Sequence, residues 1–219
     1  MANKELYLRL ETVLKTGSDV LNLSNLNLMN RELETVSEHF KKLKGLRVLD
    51  FTNNNLTYIP NFIKELKSLE ILYFDNNFIT EIPTYITELT NLKRFFLFNN
   101  EIMELPDSIA SLSSLNSLGL GNNKLIAIPE AIGDLDKLEF LFLDFNRLTY
   151  LPHAINKLNN LAVLCLNDNL LTDLSFLKNN QLKLITLNLQ NNLFPTEVIL
   201  DADSFFNRNT LHHRVEVYI

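Results

Sequence analysis

The most informative absences in this 219-residue chain concern cysteine, basic clusters and long apolar runs. The one cysteine, Cys165, leaves no disulfide within the chain and favours a reducing compartment. No apolar run reaches the roughly 18 residues that a membrane-spanning helix needs. The first residues, from Met1 to Glu5, show no apolar signal-peptide segment, so we expect a cytoplasmic protein. A secreted or surface protein that has lost its leader is the alternative.

Basic character is also scarce, because the formal net charge is −6. Nucleic-acid binding depends on clustered lysine and arginine side chains. The one dense basic stretch, from Lys41 to Lys44, lies beside Glu38 and has the pattern of a solvated helix face. We therefore expect no nucleic-acid partner.

Residues for catalysis or metal binding do not form a recognisable group. No histidine falls near Cys165 in the expected fold, so the sequence predicts no activated nucleophile. His212 and His213 are adjacent, which does not match the spacing of zinc ligands. Gly119 and Gly121 lie inside an expected strand rather than before a helix, so they do not form a phosphate loop. We expect no catalytic residue, no metal and no cofactor.

What the chain has instead is a strict repeat of 23 residues in three residue types. The asparagines are Asn54, Asn77, Asn100, Asn123, Asn146, Asn169 and Asn192. The leucines are Leu46, Leu69, Leu92, Leu115, Leu138, Leu161 and Leu184, and the prolines are Pro60, Pro83, Pro106, Pro129 and Pro152. Such phasing indicates stacked units, each of which buries its apolar side against its neighbours.

The unit at 115–137 shows what each repeat contributes. Leu118 and Leu120 flank a single residue, which is typical of a short strand with one buried face. Asn123 follows where the chain turns, and its amide has both the donor and the acceptor needed by buried backbone groups. Pro129 then begins a segment with apolar residues at three-residue spacing, which suits a short helical or 3-10 turn.

This pattern resembles the leucine-rich-repeat family, in the class that reads LxxLxLxxNxLxxLPxxIxxL. The match covers about residues 46–192, and a longer, degenerate first unit with Leu26 at the asparagine position extends it back to about Ser18. The resemblance implies an α/β fold, a right-handed solenoid or horseshoe. It has a concave parallel β-sheet and short helical or 3-10 segments on the convex side. It also implies that the partners are usually proteins.

The whole chain is predicted to form a single domain over 1–219. Its parts are an N-terminal helical cap at 1–17, a degenerate first repeat at 18–45, seven repeats at 46–194 with the last truncated, and a C-terminal cap at 195–219. Leu6, Leu10 and Val13 recur at helical spacing and predict an amphipathic helix over 4–15. The expected C-terminal cap draws its apolar surface from Val198, Ile199, Leu200, Phe205 and Phe206, and an edge strand from Val215, Val217 and Ile219.

The repeat also predicts which side chains face outward from the sheet. Since Leu118 and Leu120 point inward, residues 117, 119 and 121 point outward, and equivalent positions lie about 4.8 Å apart. The outward positions carry large aromatic side chains: Tyr73, Phe96, Phe98, Phe140 and Phe142, with Phe145 one position further on. A solvated strand face should be polar, so this patch favours a binding surface.

Small residues interrupt the aromatic patch at Ser117, Gly119 and Gly121. They predict a slot between Phe96 and Phe98 on one side and the phenylalanines at 140 and 142 on the other, with walls about 10 Å apart. Our hypothesis is that the slot accepts an apolar anchor from a partner. The alternative is that the rings lean over and fill the gap as local packing.

Acidic residues surround the patch at Asp50, Asp75, Asp144 and Asp168, with Arg94 as the only base on the outward columns. A partner that is apolar in the middle and basic at the rim would complement this surface. The alternative is that these acids only keep the sheet soluble.

The sequence thus predicts a non-catalytic protein-protein interaction module for an unidentified protein or peptide. The predicted partner-binding residues are Tyr73, Arg94, Phe96, Phe98, Ser117, Gly119, Gly121, Phe140, Phe142, Asp144 and Phe145. The alternative is a structural, self-associating repeat protein that uses the same patch or the C-terminal edge. We expect a monomer, with a homodimer as the alternative.

Overall fold

The computed structural model describes residues 3–177, 184–198 and 216–218. Each repeat supplies one three-residue strand, and every strand pairs in parallel with the next one along the chain. The strands are β1 (Val20–Asn22), β2 (Val48–Asp50), β3 (Ile71–Tyr73), β4 (Arg94–Phe96), β5 (Ser117–Gly119), β6 (Phe140–Phe142), β7 (Val163–Cys165), β8 (Thr186–Asn188) and β9 (Glu216–Tyr218). The predicted parallel sheet is confirmed as an open sheet.

The register of the sheet decides which side chains share a face. Leu118 pairs with Phe95 on one side and with Leu141 on the other, and all three side chains are completely buried. Gly119 and Phe142, which follow Leu118 and Leu141 in their strands, pair with each other and lie on the opposite face. The predicted outward columns are confirmed by this register. We call this outward side the sheet face.

The proline of each unit precedes a short helix on the other side of the coil. Pro129 has a φ of −75° and an extended conformation, and a 3-10 helix begins at the next residue. Proline suits this position because its φ is fixed and it has no N–H that needs a partner. The 3-10 helices span Asn61–Glu65, Thr84–Glu88, Asp107–Ser111, Glu130–Asp134, His153–Lys157 and Ser175–Leu177. These segments confirm the prediction, and the shortest one begins at Ser175, which stands in place of proline.

The repeated asparagines connect each unit to the one before it. The Oδ1 of Asn77 accepts the backbone N–H of Leu56 at 3.0 Å, and its Nδ2 donates to the carbonyl of Phe51 at 3.0 Å. The same Nδ2 also reaches the carbonyl of Phe74 at 3.0 Å. The side chain is only 5% exposed, so these bonds satisfy backbone groups that have no water. We call this series of asparagines the inner ladder.

One apolar core runs through the stacked units and is covered at its N-terminal end. The predicted amphipathic helix is present as α1 (Lys4–Thr16), with Leu6, Leu10 and Val13 buried against the first coil. The degenerate first unit forms two short helices, α2 (Asn30–Thr35) and α3 (Ser37–Phe40). In the core, Phe51 stacks on Phe74 with ring centroids 5.1 Å apart.

The C-terminal cap predicted at 195–219 lies largely outside the described residues. Its apolar residues at 199, 200, 205 and 206 are among those not described, as are Val215 and Ile219. Within the described part, β9 pairs in parallel with β8 through Leu187 and Val217, which agrees with the strand predicted there. No helix in the described parts of the chain is long and apolar enough to cross a membrane.

Candidate functional site

Four aromatic rings form a continuous row on the sheet face. The ring centroids of Tyr73 and Phe96 are 5.4 Å apart, and those of Phe96 and Phe98 are 5.9 Å apart. The ring centroids of Phe98 and Phe142 are 5.7 Å apart, and the two ring planes are inclined by 55°. All four residues are half-buried, so the row stays partly exposed to solvent. We call these four residues the aromatic row.

The predicted open slot at the glycines is wrong. A Cβ built on Gly119 would lie 2.3 Å from Cε2 of Phe98 and 2.6 Å from Cδ1 of Phe96. Phe98 and Phe142 stand on either side of the gap as predicted, but their ring centroids are 5.7 Å apart because Phe98 leans across it. Both glycines are therefore buried, and the sheet face is a filled aromatic surface rather than a cleft.

The structure brings most of the other predicted residues around this row. Ser117 is 5% exposed, and its hydroxyl donates to Oδ1 of Asn116 at 2.6 Å. Phe140 pairs with Ser117 in the sheet register and is half-buried. Arg94 is exposed at the start of β4, where a cleft of about 480 Å³ lies beside it at the edge of the sheet.

Two carboxylates lie next to Phe98, one from the preceding unit and one from two units further on. Oδ1 of Asp75 accepts the backbone N–H of Phe98 at 2.8 Å. Oδ1 and Oδ2 of Asp144 would lie 2.7 Å and 2.8 Å from a Cβ on Gly121, so this carboxylate covers the second glycine. Burial raises the pKa of Asp75 to about 6, although the N–H of Phe98 opposes the rise and the charge of Asp50 adds to it. Burial likewise raises the pKa of Asp144 above its ordinary value.

Cys165 is the one thiol of the chain, and it lies half-buried on the sheet face next to Phe142 in the register. Burial, with a smaller contribution from the charge of Asp144, raises its pKa to about 11. A thiol with this pKa is almost fully protonated at neutral pH, which disfavours nucleophilic chemistry. Among the described residues, no group of three or more His, Cys, Asp or Glu side chains is arranged to hold a metal. His212 and His213 lie outside those residues.

The outer edge of the sheet face contains a backbone feature that the sequence prediction missed. In each unit the residue before the inner-ladder asparagine has a positive φ. These residues are Asn53, Asn76, Asn99, Asn122, Phe145, Asp168 and Asn191, with φ between 52° and 57°. Asparagine and aspartate tolerate this left-handed conformation, but a phenylalanine does so at a cost. The signal was present in the sequence as one aromatic residue in a column of asparagines.

Hydrogen bonds along this outer column stop at Phe145. Nδ2 of Asn99 donates to Oδ1 of Asn76, and Nδ2 of Asn122 donates to Oδ1 of Asn99, both at 2.6 Å. The pattern resumes further on, where Nδ2 of Asn191 donates to Oδ1 of Asp168 at 2.9 Å. Phe145 interrupts it and leaves 52% of its side chain exposed, so the strain gives no hydrogen bond in return. We call this column the outer ladder.

Comparison with known proteins agrees with the geometry. A family model described as a leucine-rich repeat region matches residues 18–121. The match falls on stacked parallel strands, inner-ladder asparagines and short 3-10 helices. The chain has the leucine-rich-repeat fold. No curated protein matches it.

Several solved leucine-rich-repeat structures are similar to the chain. A leucine-rich-repeat protein of Leptospira interrogans shares 30% identity with a TM-score of 0.76, over 83% of this chain and 45% of its own. An internalin from Listeria monocytogenes shares 27% identity with a TM-score of 0.68, over 85% of this chain and 50% of its own. The ectodomain of a membrane receptor kinase from Arabidopsis thaliana, solved in complex with Casparian Strip Integrity Factor 2, shares 33% identity. Its TM-score is 0.65, over 71% of this chain and 20% of its own. The chain spans half or less of the length of each.

Proposed function

We propose that this leucine-rich-repeat chain is a non-catalytic interaction module that binds a protein or peptide on its sheet face. The observation that supports the proposal is the aromatic row, in which four contiguous rings stand half-exposed where polar side chains would be expected. Aromatic residues are enriched in the cores of protein interfaces. The proposed contact surface also includes Arg94, Ser117, Gly119, Gly121, Phe140, Asp144 and Phe145.

The strained backbone of Phe145 supports the same surface. A half-exposed phenylalanine in a left-handed conformation stabilises the free protein little and costs conformational energy. Residues kept in such a state are concentrated at ligand-binding positions. Because Phe145 follows Asp144 at the margin of the aromatic row, we assign it to the rim of the contact surface.

The solved neighbours and the thiol content bear on the partner and on the compartment. The plant receptor ectodomain is solved in complex with Casparian Strip Integrity Factor 2, so a leucine-rich-repeat array of related structure presents a binding surface in that protein. We extend this role to the present chain. With one cysteine in the sequence, a reducing compartment such as the cytoplasm remains our proposed location.

The test is a peptide selection followed by a matched pair of variants. Random peptides displayed on phage are selected on the immobilised chain, and the recovered peptides are titrated against Phe96→Ala and Phe78→Ala. Phe78 is the control because it is a phenylalanine of the same array, 49% exposed, that follows an inner-ladder asparagine and lies off the outward columns. We expect Phe96→Ala to weaken binding by about tenfold or more and Phe78→Ala to leave it unchanged.

Two further measurements keep this result interpretable. Thermal unfolding shows whether each variant is folded, and equal affinity for both folded variants contradicts the proposal. Light scattering measures self-association, and a dimer that Phe96→Asp abolishes would assign the sheet face to homo-oligomerisation instead. A substitution at Gly119 is a poorer test, because any side chain there displaces Phe98 and Phe96.

A further inference from the structure

The charges of the sheet face are arranged differently from those at its edge. At the start of the strands, acidic and basic side chains of successive units neutralise one another. Nη1 of Arg47 lies 3.3 Å from Oδ2 of Asp19, and its Nε lies 3.0 Å from Oε1 of Glu70. Nζ of Lys93 lies 2.8 Å from Oε2 of the same Glu70. The array thus forms ion pairs between neighbouring units where the sequence supplies both charges.

The described acidic residues next to the aromatic row are not paired in this way. Four aspartates stand on the outward columns and on the outer ladder, namely Asp50, Asp75, Asp144 and Asp168. Within the parts of the chain that the structure describes, none of them forms an ion pair. Arg94 lies at the start of its strand, whereas Asp75 and Asp144 follow the ends of theirs. Among the described residues, the outward positions just past the strand ends and the outer ladder hold no lysine or arginine, so this side of the sheet face is acidic.

The immediate surroundings of Phe98 have the chemistry that a guanidinium group recognises. Phe98 is only half-buried, and two carboxylates lie next to it. Asp75 of the preceding unit accepts its backbone N–H, and Asp144, two units further on, lies with the ring of Phe98 over Gly121. Arginine is planar, stacks on aromatic faces and donates hydrogen bonds to carboxylates in a fixed geometry. Its guanidinium is also more weakly hydrated than an ammonium group, so it enters a half-buried surface at a smaller cost.

We propose that the segment bound on the sheet face is a basic polypeptide with an arginine that lies on the ring of Phe98 and hydrogen-bonds Asp75 or Asp144. Neighbouring basic residues of the segment approach Asp50 and Asp168 at the two ends of the aromatic row. This inference rests on the proposed function and names the chemistry of the partner. It follows from charge complementarity with an aromatic row that the free chain leaves partly exposed.

The partial burial of the two carboxylates is consistent with this partner. Burial raises the pKa of both Asp75 and Asp144, which means that their charged forms lack solvation in the free chain. An arriving cation restores that solvation and favours the charged forms. Binding therefore strengthens as the pH rises from about 5 to about 7, where Asp75 loses its proton.

The experiment compares the sequences and the affinities of the peptides selected on the chain. We expect recovered peptides to be enriched in arginine, and replacement of that arginine by uncharged citrulline to weaken binding by about 10- to 100-fold. Asp144→Asn and Asp75→Asn should weaken it by similar factors. Asp136→Asn is the matched control, because Asp136 is an exposed aspartate in the turn between a 3-10 helix and β6.

The outcomes separate this inference from the function on which it rests. Peptides that lose affinity with Phe96→Ala, yet lack basic residues and bind Asp144→Asn equally well, overturn the inference and support the proposed function. If no peptide is recovered, or none responds to Phe96→Ala, the proposed function fails and the inference fails with it. Affinity that does not fall as salt concentration rises also counts against a basic partner.

Discussion

The carboxylate of Asp144 and the ring of Phe98 both lie over the backbone of Gly121, although they come from the units on either side of it. A Cβ on Gly121 would lie 2.7 Å from Oδ1 of Asp144 and 2.9 Å from Cδ1 of Phe98. Glycine at this position makes room for two side chains that converge, and it leaves no empty slot. The polar and apolar parts of the proposed site therefore lie over the same glycine, and we expect substitutions in one part to affect the other.

Alanine substitutions at three glycines should differ in their effect on the free energy of unfolding. At Gly133 a Cβ would lie 2.5 Å from the backbone oxygen of Ala154, which cannot move, so we expect a loss of about 2–3 kcal/mol. At Gly119 it meets the ring of Phe98, which can swing toward solvent, so we expect about 1 kcal/mol. A Cβ on Gly45 would meet no heavy atom within 4 Å beyond its chain neighbours, so Gly45→Ala is the control. If urea unfolding shows a larger loss of stability for Gly119→Ala than for Gly133→Ala, the prediction is contradicted.

Phe145→Asn should stabilise the chain while weakening the binding of selected peptides. Asparagine tolerates the left-handed conformation, and its Nδ2 would continue the outer ladder to Oδ1 of Asn122, so we expect a gain of about 1 kcal/mol. Asn122→Phe is the reciprocal control and should destabilise by a similar amount, because it introduces the strain and breaks the bond to Asn99. Thermal unfolding measures both. If Phe145→Asn lowers the melting temperature, then Phe145 has a structural role rather than a binding role.

Asp75→Asn should stabilise the chain at neutral pH but not in acid. The pKa of Asp75 rises from 3.8 to about 6 on folding, because burial and the charge of Asp50 outweigh the N–H of Phe98. The folded state then holds the proton more tightly than the unfolded state, so the free energy of unfolding falls as the pH rises between these two values. The nearest cation of the outward columns, Arg94, stands at the other edge of the sheet face.

For this carboxyl group, which is partly exposed, we expect a gain of about 1 kcal/mol at pH 7 after allowance for solvent screening. Asparagine keeps an acceptor for the N–H of Phe98, so the hydrogen bond is not lost. Chemical denaturation of the variant and of Asp136→Asn at acidic and neutral pH checks the prediction. A gain of the same size at both pH values would show that the charge of Asp75 is not its source.

Asn77→Ala should destabilise the chain by about 3 kcal/mol or more. The side chain is 5% exposed and serves the N–H of Leu56 and the carbonyls of Phe51 and Phe74, which become unsatisfied in the variant. Asn91→Ala is the control, because Asn91 is exposed and its Nδ2 makes one bond, to the carbonyl of Lys67. A comparable loss of stability in the two variants would contradict the assigned role of the inner ladder.

Cys165 should react slowly with iodoacetamide in the folded chain. Its pKa is raised from 9.0 to about 11, so the fraction of thiolate at neutral pH is small. We expect the alkylation rate of the folded chain to keep rising above pH 9. Below pH 9, the unfolded chain in urea should react faster than the folded chain. A rate that levels off near neutral pH would indicate an activated thiol and reopen the question of catalysis.

The phase of the repeat was sufficient to predict the fold and the outward columns. Leu118 and Leu120 set the strand register, Asn123 the turn and Pro129 the start of the 3-10 helix, because each of these residue types has a backbone requirement that recurs in every unit. The position of the aromatic patch followed from this register alone.

The direction in which the rings lean did not follow from the repeat. The sequence left open whether Phe98 stands away from Gly119 or covers it, because both arrangements suit the same backbone and differ only in side-chain packing. The left-handed conformation of Phe145 was missed for another reason. It becomes visible only when its column is compared with the asparagines at Asn99 and Asn122, whose side chains favour that conformation.

The inner ladder also gives the array a direction. Asn77 satisfies backbone groups of the unit that precedes it, and Asn100 does the same for the unit of Asn77 through the N–H of Ile79. A chain shortened from its C-terminal end therefore leaves the turn of its last unit without the asparagine that satisfies its backbone groups. We therefore expect that, during synthesis on the ribosome, the turn of each unit is completed only after the asparagine of the next unit has emerged.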